Sequence, residues 1–91
     1  MKYEIVPSNQ FRKDLKLAQK RGYNIDKIKK VISELAEGEI LESKYRDHAL
    51  TGDYSGFREC HIQPDWLLIY QIKNDRLILF LARTGTHSDL F

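Results

Sequence analysis

The segment WLLIYQIKNDRLILFLAR, residues 66–83, decides the fold, because it contains two strand-like runs separated by two polar residues. The runs 66–73 and 76–83 are rich in apolar and aromatic side chains, and a two-residue polar break between such runs is typical of a hairpin. In the register that this turn implies, Trp66 faces Arg83 at the end away from the turn. We therefore expect an antiparallel strand pair here.

Further strands are predicted on both sides of this hairpin. Residues 57–62 form a strand-like run that leads into the hairpin through a turn at 63–65, and residues 45–50 are a possible strand before it. At the N-terminus, residues 2–6 alternate weakly and are followed by Pro7, which ends a strand. Strands joined by short turns pair antiparallel, so the sheet is expected to be mainly antiparallel.

Two helices are predicted between the first strand and the others. Ser8 and Asn24 are suitable N-terminal caps, and Gly22 and Gly38 follow the two helical segments as ends. The apolar positions at helical spacing are Phe11, Leu15 and Ala18 in the first segment and Ile25, Ile28, Ile32 and Leu35 in the second. The order of elements predicts a single α+β domain over residues 1–91. In it, an N-terminal strand and two antiparallel helices pack on a mainly antiparallel sheet of four to five strands.

The composition is that of a globular protein, with 42% hydrophobic and 31% charged residues. The single cysteine, Cys60, rules out an intramolecular disulfide and fits a reducing compartment. The N-terminus lacks the apolar run of a signal peptide, and no apolar run is long enough to cross a membrane. We therefore expect a cytoplasmic protein with no membrane partner, in which Cys60 packs in the core.

Positive charge is concentrated in the helical half. Residues 8–30 contain eight basic and two acidic residues, whereas residues 31–91 contain six basic and ten acidic ones, within a net charge of +2. Such a cluster is either a solvated helix surface or a binding surface for a polyanion.

Side chains suited to acid–base chemistry converge at one end of the predicted hairpin. His61 precedes the turn, Asp65 follows it, and Arg83 and His87 leave the last strand at the same end. His48 belongs to the same half of the chain, although its register cannot be read. Two proton-transfer groups and a cation suit RNA cleavage by the neighbouring 2′-hydroxyl, in which one group removes a proton, another supplies one, and the cation stabilises the phosphate.

Each of these residues also has a purely structural interpretation. A histidine is commonly a half-buried polar residue, Asp65 is suited to cap a turn, Arg83 to end a strand, and Trp66 to fill the core. Zinc is the main alternative for the histidines. However, they are separated by thirteen and twenty-six residues and the chain has one cysteine, which matches no compact zinc motif. We therefore predict no metal and no cofactor.

Four segments resemble the YafQ-type branch of the RelE/ParE toxin superfamily. They are FRKDLKLAQKRG (11–22), DHAL (47–50), GFRECHIQPDWLLIY (56–70) and RTGTHSDLF (83–91). The resemblance implies a RelE-like microbial RNase fold. It also implies the toxin of a type II toxin–antitoxin module, an mRNA interferase that cuts messenger RNA in the ribosomal A site without a metal. The expected partners are a cognate antitoxin, mRNA on the ribosome, ribosomal RNA, and operator DNA through the antitoxin complex only.

The resemblance also assigns roles to individual residues. It implies that His87 is the general acid and that Arg83 binds and stabilises the scissile phosphate, while Phe91 helps to place the RNA. The implied catalytic set is His48, His61, Asp65, His87 and Arg83. The general base among the first three members stays open. The resemblance also implies that the basic helix surface binds ribosomal RNA. The residues expected to make these contacts are Lys13, Lys16, Lys20 and Arg21.

Two other functions are compatible with the same sequence. A ParE-like relative would be a non-enzymatic toxin that inhibits DNA gyrase, and a third possibility is a catalytically silent module that binds RNA or an antitoxin. The three histidines favour the nuclease, because a protein that only binds has no need for several proton-transfer groups in one place.

Overall fold

A computed structural model describes residues 2–91 of the chain. It confirms the α+β class, with a five-stranded sheet and three helices. The elements in chain order are β1 (Glu4–Pro7), α1 (Asn9–Lys20), α2 (Ile25–Ala36), β2 (His48–Ala49), β3 (Arg58–Gln63), β4 (Trp66–Lys73), β5 (Ile78–Gly85) and α3 (His87–Leu90). Single 3₁₀ turns at Ser43–Tyr45 and Gly52–Tyr54 lie on either side of β2.

The strands are ordered β1-β5-β4-β3-β2 across the sheet. β1 lies parallel to β5, and every other pair is antiparallel. The chain therefore enters at one edge, passes through α1 and α2, and resumes with β2 at the opposite edge. This crossover brings both helices onto one face of the sheet and leaves the other face for the C-terminal segment.

The two predicted helices are confirmed together with their caps. The Ser8 hydroxyl accepts from the backbone N–H of Phe11, and the Asn24 side chain accepts from the N–H of Asp26. Both helices turn apolar residues towards the sheet, and their buried members include Phe11, Ala18, Ile28, Val31 and Leu35. This stripe meets one face of β3, β4 and β5 in the main core.

Side chains alternate across β4 and are buried on both faces of the sheet. Trp66, Leu68 and Tyr70 belong to the main core under the helices, while Leu67 and Ile69 point the other way. On that second face they pack with the buried Leu90 of α3 and with four partly buried residues, Leu50, Tyr54, Phe57 and Ala82. We call this side of the sheet the open face, because only α3 and the loop around Tyr54 cover it.

The predicted register of the central hairpin is wrong. Its loop spans residues 74–77, so Lys73 lies opposite Ile78. A two-residue turn requires backbone conformations with positive φ that an Asn-Asp pair adopts poorly without glycine, and here the chain instead takes one left-handed residue, Leu77, with φ 53°. A bulge at residue 82 then shifts the register again, so Arg83 faces Ile69 rather than Trp66.

Two further expectations need correction. The strand predicted over residues 45–50 is reduced to the two residues of β2, because a 3₁₀ turn and a left-handed Arg46 precede it. The segment after the predicted last strand, for which no helix is predicted from the sequence, contains a helix, α3. Thr86 and Asp89 form a reciprocal capping box there, which the sequence spacing signals in principle. In residues 2–91, no helix combines the length and the apolar character needed to cross a membrane.

Candidate active site

The pairing of the strands places the predicted site residues on the open face. His48 lies opposite Glu59, Glu59 opposite Ile69, and Ile69 opposite Arg83, and directly paired residues share a face. His61 lies opposite Leu67, which is also on this face. His48, His61 and Arg83 therefore project from the same side of the sheet, with Leu67 and Ile69 as an apolar floor between them.

The two histidines of β2 and β3 form a cluster around Glu59. Nδ1 of His48 lies 2.7 Å from the carbonyl oxygen of Arg46, and its Nε2 lies 3.9 Å from the Glu59 carboxylate. Nδ1 of His61 lies 3.3 Å from the carbonyl oxygen of Pro64, and its Nε2 lies 3.3 Å from the same carboxylate oxygen. Because a carbonyl oxygen only accepts, Nδ1 donates in both rings. The two rings therefore differ at Nε2, which is closer to Glu59 in His61 than in His48.

His87 meets this cluster from α3. Its ring centroid lies 6.0 Å from that of His61, and its Nδ1 lies 3.3 Å from the Asp65 carboxylate, which also accepts from the His87 backbone N–H. The ring is well exposed, with 57% of the side chain accessible. Asp65 thus orients the His87 ring through Nδ1, and Nε2 remains available to transfer a proton to or from a bound group.

Phe91 forms an aromatic rim beside His87. Its ring lies 6.1 Å from the His87 ring and packs edge-on against Tyr54 with centroids 5.6 Å apart. With 62% of its surface exposed, Phe91 offers a face on which a base can stack. Trp66, in contrast, is 1% exposed and donates its indole N–H to Thr84, so it belongs to the core.

Arg83 is fixed by a buried carboxylate of α1. Its Nε donates to Asp14 over 2.9 Å and its Nη2 over 3.2 Å, and these bonds raise the pKa of the guanidinium. Asp14 is 9% exposed and also accepts from the backbone N–H of Thr84 and from Gln10. Asp14 uses two of the five guanidinium N–H donors and Tyr54 is a further partner of the guanidinium, so the donors that remain can bind an anion at the edge of the open face.

A second arginine–aspartate pair holds α3 against α1. Arg21 donates to Asp89 through Nη1 over 2.7 Å and through Nη2 over 3.2 Å. These bonds, with those from Thr86, hold the pKa of Asp89 well below its usual range. Since α3 carries His87, this exposed pair helps to set the position of the catalytic candidate. Arg21 is consequently paired within the chain, unlike a solvated surface cation.

The depressed pKa of Asp89 predicts an acid-dependent loosening of α3. A carboxylate whose pKa is lowered on folding stabilises the fold above its unfolded pKa of about 3.9, and this contribution is lost as the pH falls through the folded value. We expect the α3 amide signals in NMR spectra to shift progressively below about pH 4. The Asp89→Asn variant should show loosened α3 signals at neutral pH and no such acid transition.

β2 is held in place by a hydrogen-bonded group under the sheet edge. The Tyr70 hydroxyl donates to Asp47 over 2.6 Å, and Nε of Arg58 lies 3.4 Å from the same oxygen. Burial and this bond raise the pKa of Tyr70, which stays neutral. Asp47 directly precedes His48, so the group anchors a strand of only two residues and fixes the position of its histidine.

A positively charged groove of about 550 Å³ runs from the helices to His61. Lys27 and Lys30 of α2 line one side, and Lys44 and Arg46 line the other. The predicted RNA-binding lysines lie elsewhere, on the exposed surface of α1, and they are Lys13, Lys16 and Lys20. The α2 lysines belong to the basic cluster of the sequence, but only the folded chain places Lys27 and Lys30 in a groove with the catalytic candidate His61.

In the part of the chain from residue 2 to residue 91, no group of three or more His, Cys, Asp or Glu side chains could hold a metal ion. Cys60 is fully buried, and burial raises the pKa of its thiol, so it is packed and chemically inert as expected.

Two buried carboxylates at the site, Glu59 and Asp14, were not predicted from the sequence. Glu59 lies two residues before His61 on a strand, a spacing that puts both on one face and could have nominated it. Asp14 lies in the predicted helix among exposed lysines, and no local signal indicates that it meets Arg83 from 69 residues away.

Comparison with known proteins identifies the family. Residues 3–91 match the sequence model described as the bacterial toxin of type II toxin–antitoxin system, YafQ. The chain belongs to the YafQ toxin family. A curated relative from Escherichia coli strain K12, named mRNA interferase toxin YafQ, is 44% identical over 89 residues, which cover 97% of this chain and 95% of the relative.

Solved structures of YafQ-family proteins share the fold. A metal-bound toxin from Helicobacter pylori is 47% identical with a TM-score of 0.92, and the match covers 98% of this chain and 99% of the other. The toxin in a crystal structure of the E. coli DinJ–YafQ complex is 41% identical with a TM-score of 0.90, covering 98% of each chain. These matches confirm the family resemblance and the fold predicted from the sequence.

Proposed function

We propose that this YafQ-family toxin is an endoribonuclease that cleaves messenger RNA on the ribosome by attack of the 2′-hydroxyl on the adjacent phosphate, without a metal. The observation that carries the proposal is the meeting of His87, oriented by Asp65, with the His48–His61 cluster across an open face. The name of the E. coli relative, an mRNA interferase, supports the choice of substrate.

The geometry favours distinct roles for the three histidines. His87 is exposed and bound to Asp65 through Nδ1, so its Nε2 proton is suited to protonate the departing 5′-oxygen. His48 is the better general base, because its Nε2 lies 3.9 Å from Glu59, beyond hydrogen-bond distance, and is open to a 2′-hydroxyl. The His61 ring lies between the Pro64 carbonyl oxygen and the Glu59 carboxylate, each 3.3 Å from one of its nitrogens, and this position suits it to contact the phosphate.

Two other residues complete the proposed substrate site. Arg83 stabilises negative charge on the phosphate with the N–H groups that Asp14 leaves free. Phe91 stacks on a base next to the cut, held at the rim by Tyr54. The groove that ends at His61 offers four cations for the neighbouring phosphates, which supports an RNA ligand over a neutral one.

The proposed protein partners follow from the family. The E. coli structures contain a DinJ–YafQ toxin–antitoxin complex. We infer that a cognate antitoxin binds this chain, wraps it, and occludes the histidine face or displaces α3. Operator DNA would be reached only through that complex. Ribosomes are the proposed site of action, which places the toxin in the cytoplasm.

Messenger RNA cleavage in a purified translation system tests this function. The 5′ ends of the fragments are mapped against the reading frame, with and without ribosomes. We expect cuts in phase with codons that require ribosomes and persist in the presence of a metal chelator at a Mg²⁺ level that keeps ribosomes intact. Intact message would reject the nuclease, and inhibition of DNA gyrase would then indicate the ParE-like alternative.

Neutralising the exposed lysines of α1 tests the proposed docking on ribosomal RNA. In the variant Lys13→Gln/Lys16→Gln/Lys20→Gln, we expect about tenfold weaker ribosome binding. We also expect a decrease of about two in the slope of log affinity against log salt, because each phosphate contact contributes about 0.7–0.9 to that slope. Sedimentation of ribosomes with labelled toxin over a salt series measures both quantities.

A matched variant controls for the loss of net charge. Lys2→Gln/Lys73→Gln/Arg76→Gln removes three cations at the opposite end of the sheet, near the loop that joins β4 and β5. This control should bind ribosomes with nearly the affinity of the wild type. Equal weakening in the two triple variants would contradict docking through α1.

A further inference from the structure

Glu59 is a buried acidic residue at the centre of the histidine cluster. It is 4% exposed, and the charged or ionisable side chains that contact it in residues 2–91 are His48 and His61. A buried carboxylate is costly unless a positive group or hydrogen bonds compensate it. No arginine or lysine of the described residues contacts Glu59, so the two imidazoles are the groups placed to compensate it.

We propose that Glu59 is a positioning residue for the cleavage reaction, which holds the His61 ring in place and attracts the proton that His48 takes up. The inference rests on the proposed function and adds to it a residue that touches neither RNA nor the leaving group. Its carboxylate lies 3.3 Å from Nε2 of His61 and 3.9 Å from Nε2 of His48. The nearer ring is in ion-pair contact with the carboxylate, and the farther ring lies beyond hydrogen-bond distance and stays open to substrate.

The proton balance of the step fits this arrangement. His48 Nε2 takes the proton of the 2′-hydroxyl as the 2′-oxygen bonds to phosphorus, and the new imidazolium is then attracted by the Glu59 carboxylate. The P–O5′ bond breaks as His87 delivers its proton to the leaving oxygen. Removal of the Glu59 charge should therefore make His48 a weaker base, and leave the acid step at His87 unaltered.

No other acidic side chain of the described residues is placed to replace the negative charge of Glu59 in this cluster. The floor beside Glu59 on β4 consists of Leu67 and Ile69, and α3 contributes His87, whose carboxylate partner is Asp65. On β5, Arg83 lies in the same row as Glu59 and is neutralised by Asp14. Glu59 is thus the acidic group of the described residues that faces both His48 and His61.

The test compares Glu59→Gln, which keeps the shape and removes the charge, with Glu59→Asp, which keeps the charge. Single-turnover cleavage on ribosomes is measured from pH 5 to pH 9. We expect Glu59→Gln to cleave about tenfold more slowly at neutral pH, the effect of one unit of basicity, with the acidic limb of its rate–pH profile moved to lower pH. In Glu59→Asp, the acidic limb should return towards its wild-type pH. A variant that acted only through lost packing would not show this return.

Two measurements keep the inference separate from the proposed function. Asp75→Asn, at an exposed loop position at the far end of the sheet, removes the same net charge and should leave rate and profile unchanged. NMR titration of the free protein should show the His48 and His61 rings, and not His87, titrating at lower pH in Glu59→Gln. Unchanged ring titrations together with a wild-type rate profile would overturn the role of Glu59, whether or not the wild type cleaves RNA. Wild-type protein that fails to cleave would reject the nuclease itself.

Discussion

The His87→Ala variant is expected to cleave ribosome-bound messenger RNA 10²- to 10⁴-fold more slowly than the wild type, the usual contribution of a positioned proton donor. The reason is geometric. His87 contacts Asp65 through Nδ1 and lies on the open face beside His61. Its other ring nitrogen, Nε2, therefore faces the substrate. Loss of this proton donor leaves the departing 5′-oxygen to be protonated by water.

The fold should tolerate this change, because the His87 side chain is 57% exposed. Circular dichroism and urea unfolding should therefore be nearly those of the wild type. Ser88→Ala, at the next position of α3, which is also exposed, is the matched control and should cleave at the wild-type rate. A His87→Ala variant that retains more than about a tenth of the activity would contradict the assignment of His87 as general acid.

The Arg83→Met variant is expected to lose about 3 kcal/mol of unfolding free energy, since it leaves the buried Asp14 carboxylate without its cation. Asp14 has 8% of its side chain exposed, and it accepts two bonds from Arg83. Domains of this size have total stabilities of about 5–15 kcal/mol, so the loss is readily measured by urea unfolding monitored through the buried Trp66.

The Arg21–Asp89 pair supplies an internal comparison, because it has the same two-bond geometry at a more exposed position. Its side chains are 37% and 26% exposed, and exposed ion pairs contribute about 0–1 kcal/mol. Arg21→Met should accordingly lower the free energy of unfolding much less than Arg83→Met does. Equal losses of unfolding free energy in Arg83→Met and Arg21→Met would show that the burial of Asp14 does not determine how much its ion pair stabilises the fold.

This stability effect bears on how activity data for Arg83 are interpreted. A variant that cleaves poorly because it is partly unfolded says nothing about phosphate binding. Arg83→Lys keeps a positive charge near Asp14 but loses the fork that holds two bonds at once. Activity at Arg83 is therefore best compared between Arg83→Lys and wild type, at a temperature at which both are folded.

Much of the fold follows from local sequence signals. Ser8 and Asn24 cap the helices as predicted, because short polar side chains satisfy the free N–H groups of a first turn wherever that turn lies. The apolar stripes and the strand pattern then fix which faces are buried. The motifs around His48, His61 and His87 pointed to the YafQ family before any contact was known.

The register of the central hairpin required the tertiary structure. A four-residue loop with a left-handed Leu77 and a bulge at residue 82 were needed to place Arg83 opposite Ile69. Turn residues bias such a loop only weakly when glycine is absent, and a bulge depends on the packing of both faces. His61 and His87 lie close together despite the shifted register, because α3 places the His87 ring beside that of His61.

The sequence by itself determined the class of fold, the family and the residue types available for acid–base chemistry, because caps, periodicity and motifs act over a few residues. The tertiary structure decided which charges are buried and paired. Asp14 and Arg83 are 69 residues apart, and Arg21 and Asp89 are 68 apart. Likewise, the burial of Glu59 between two histidines depends on β2, β3 and β4 meeting in one register. The energy of a charge depends on its surroundings after folding, and no local pattern contains that information.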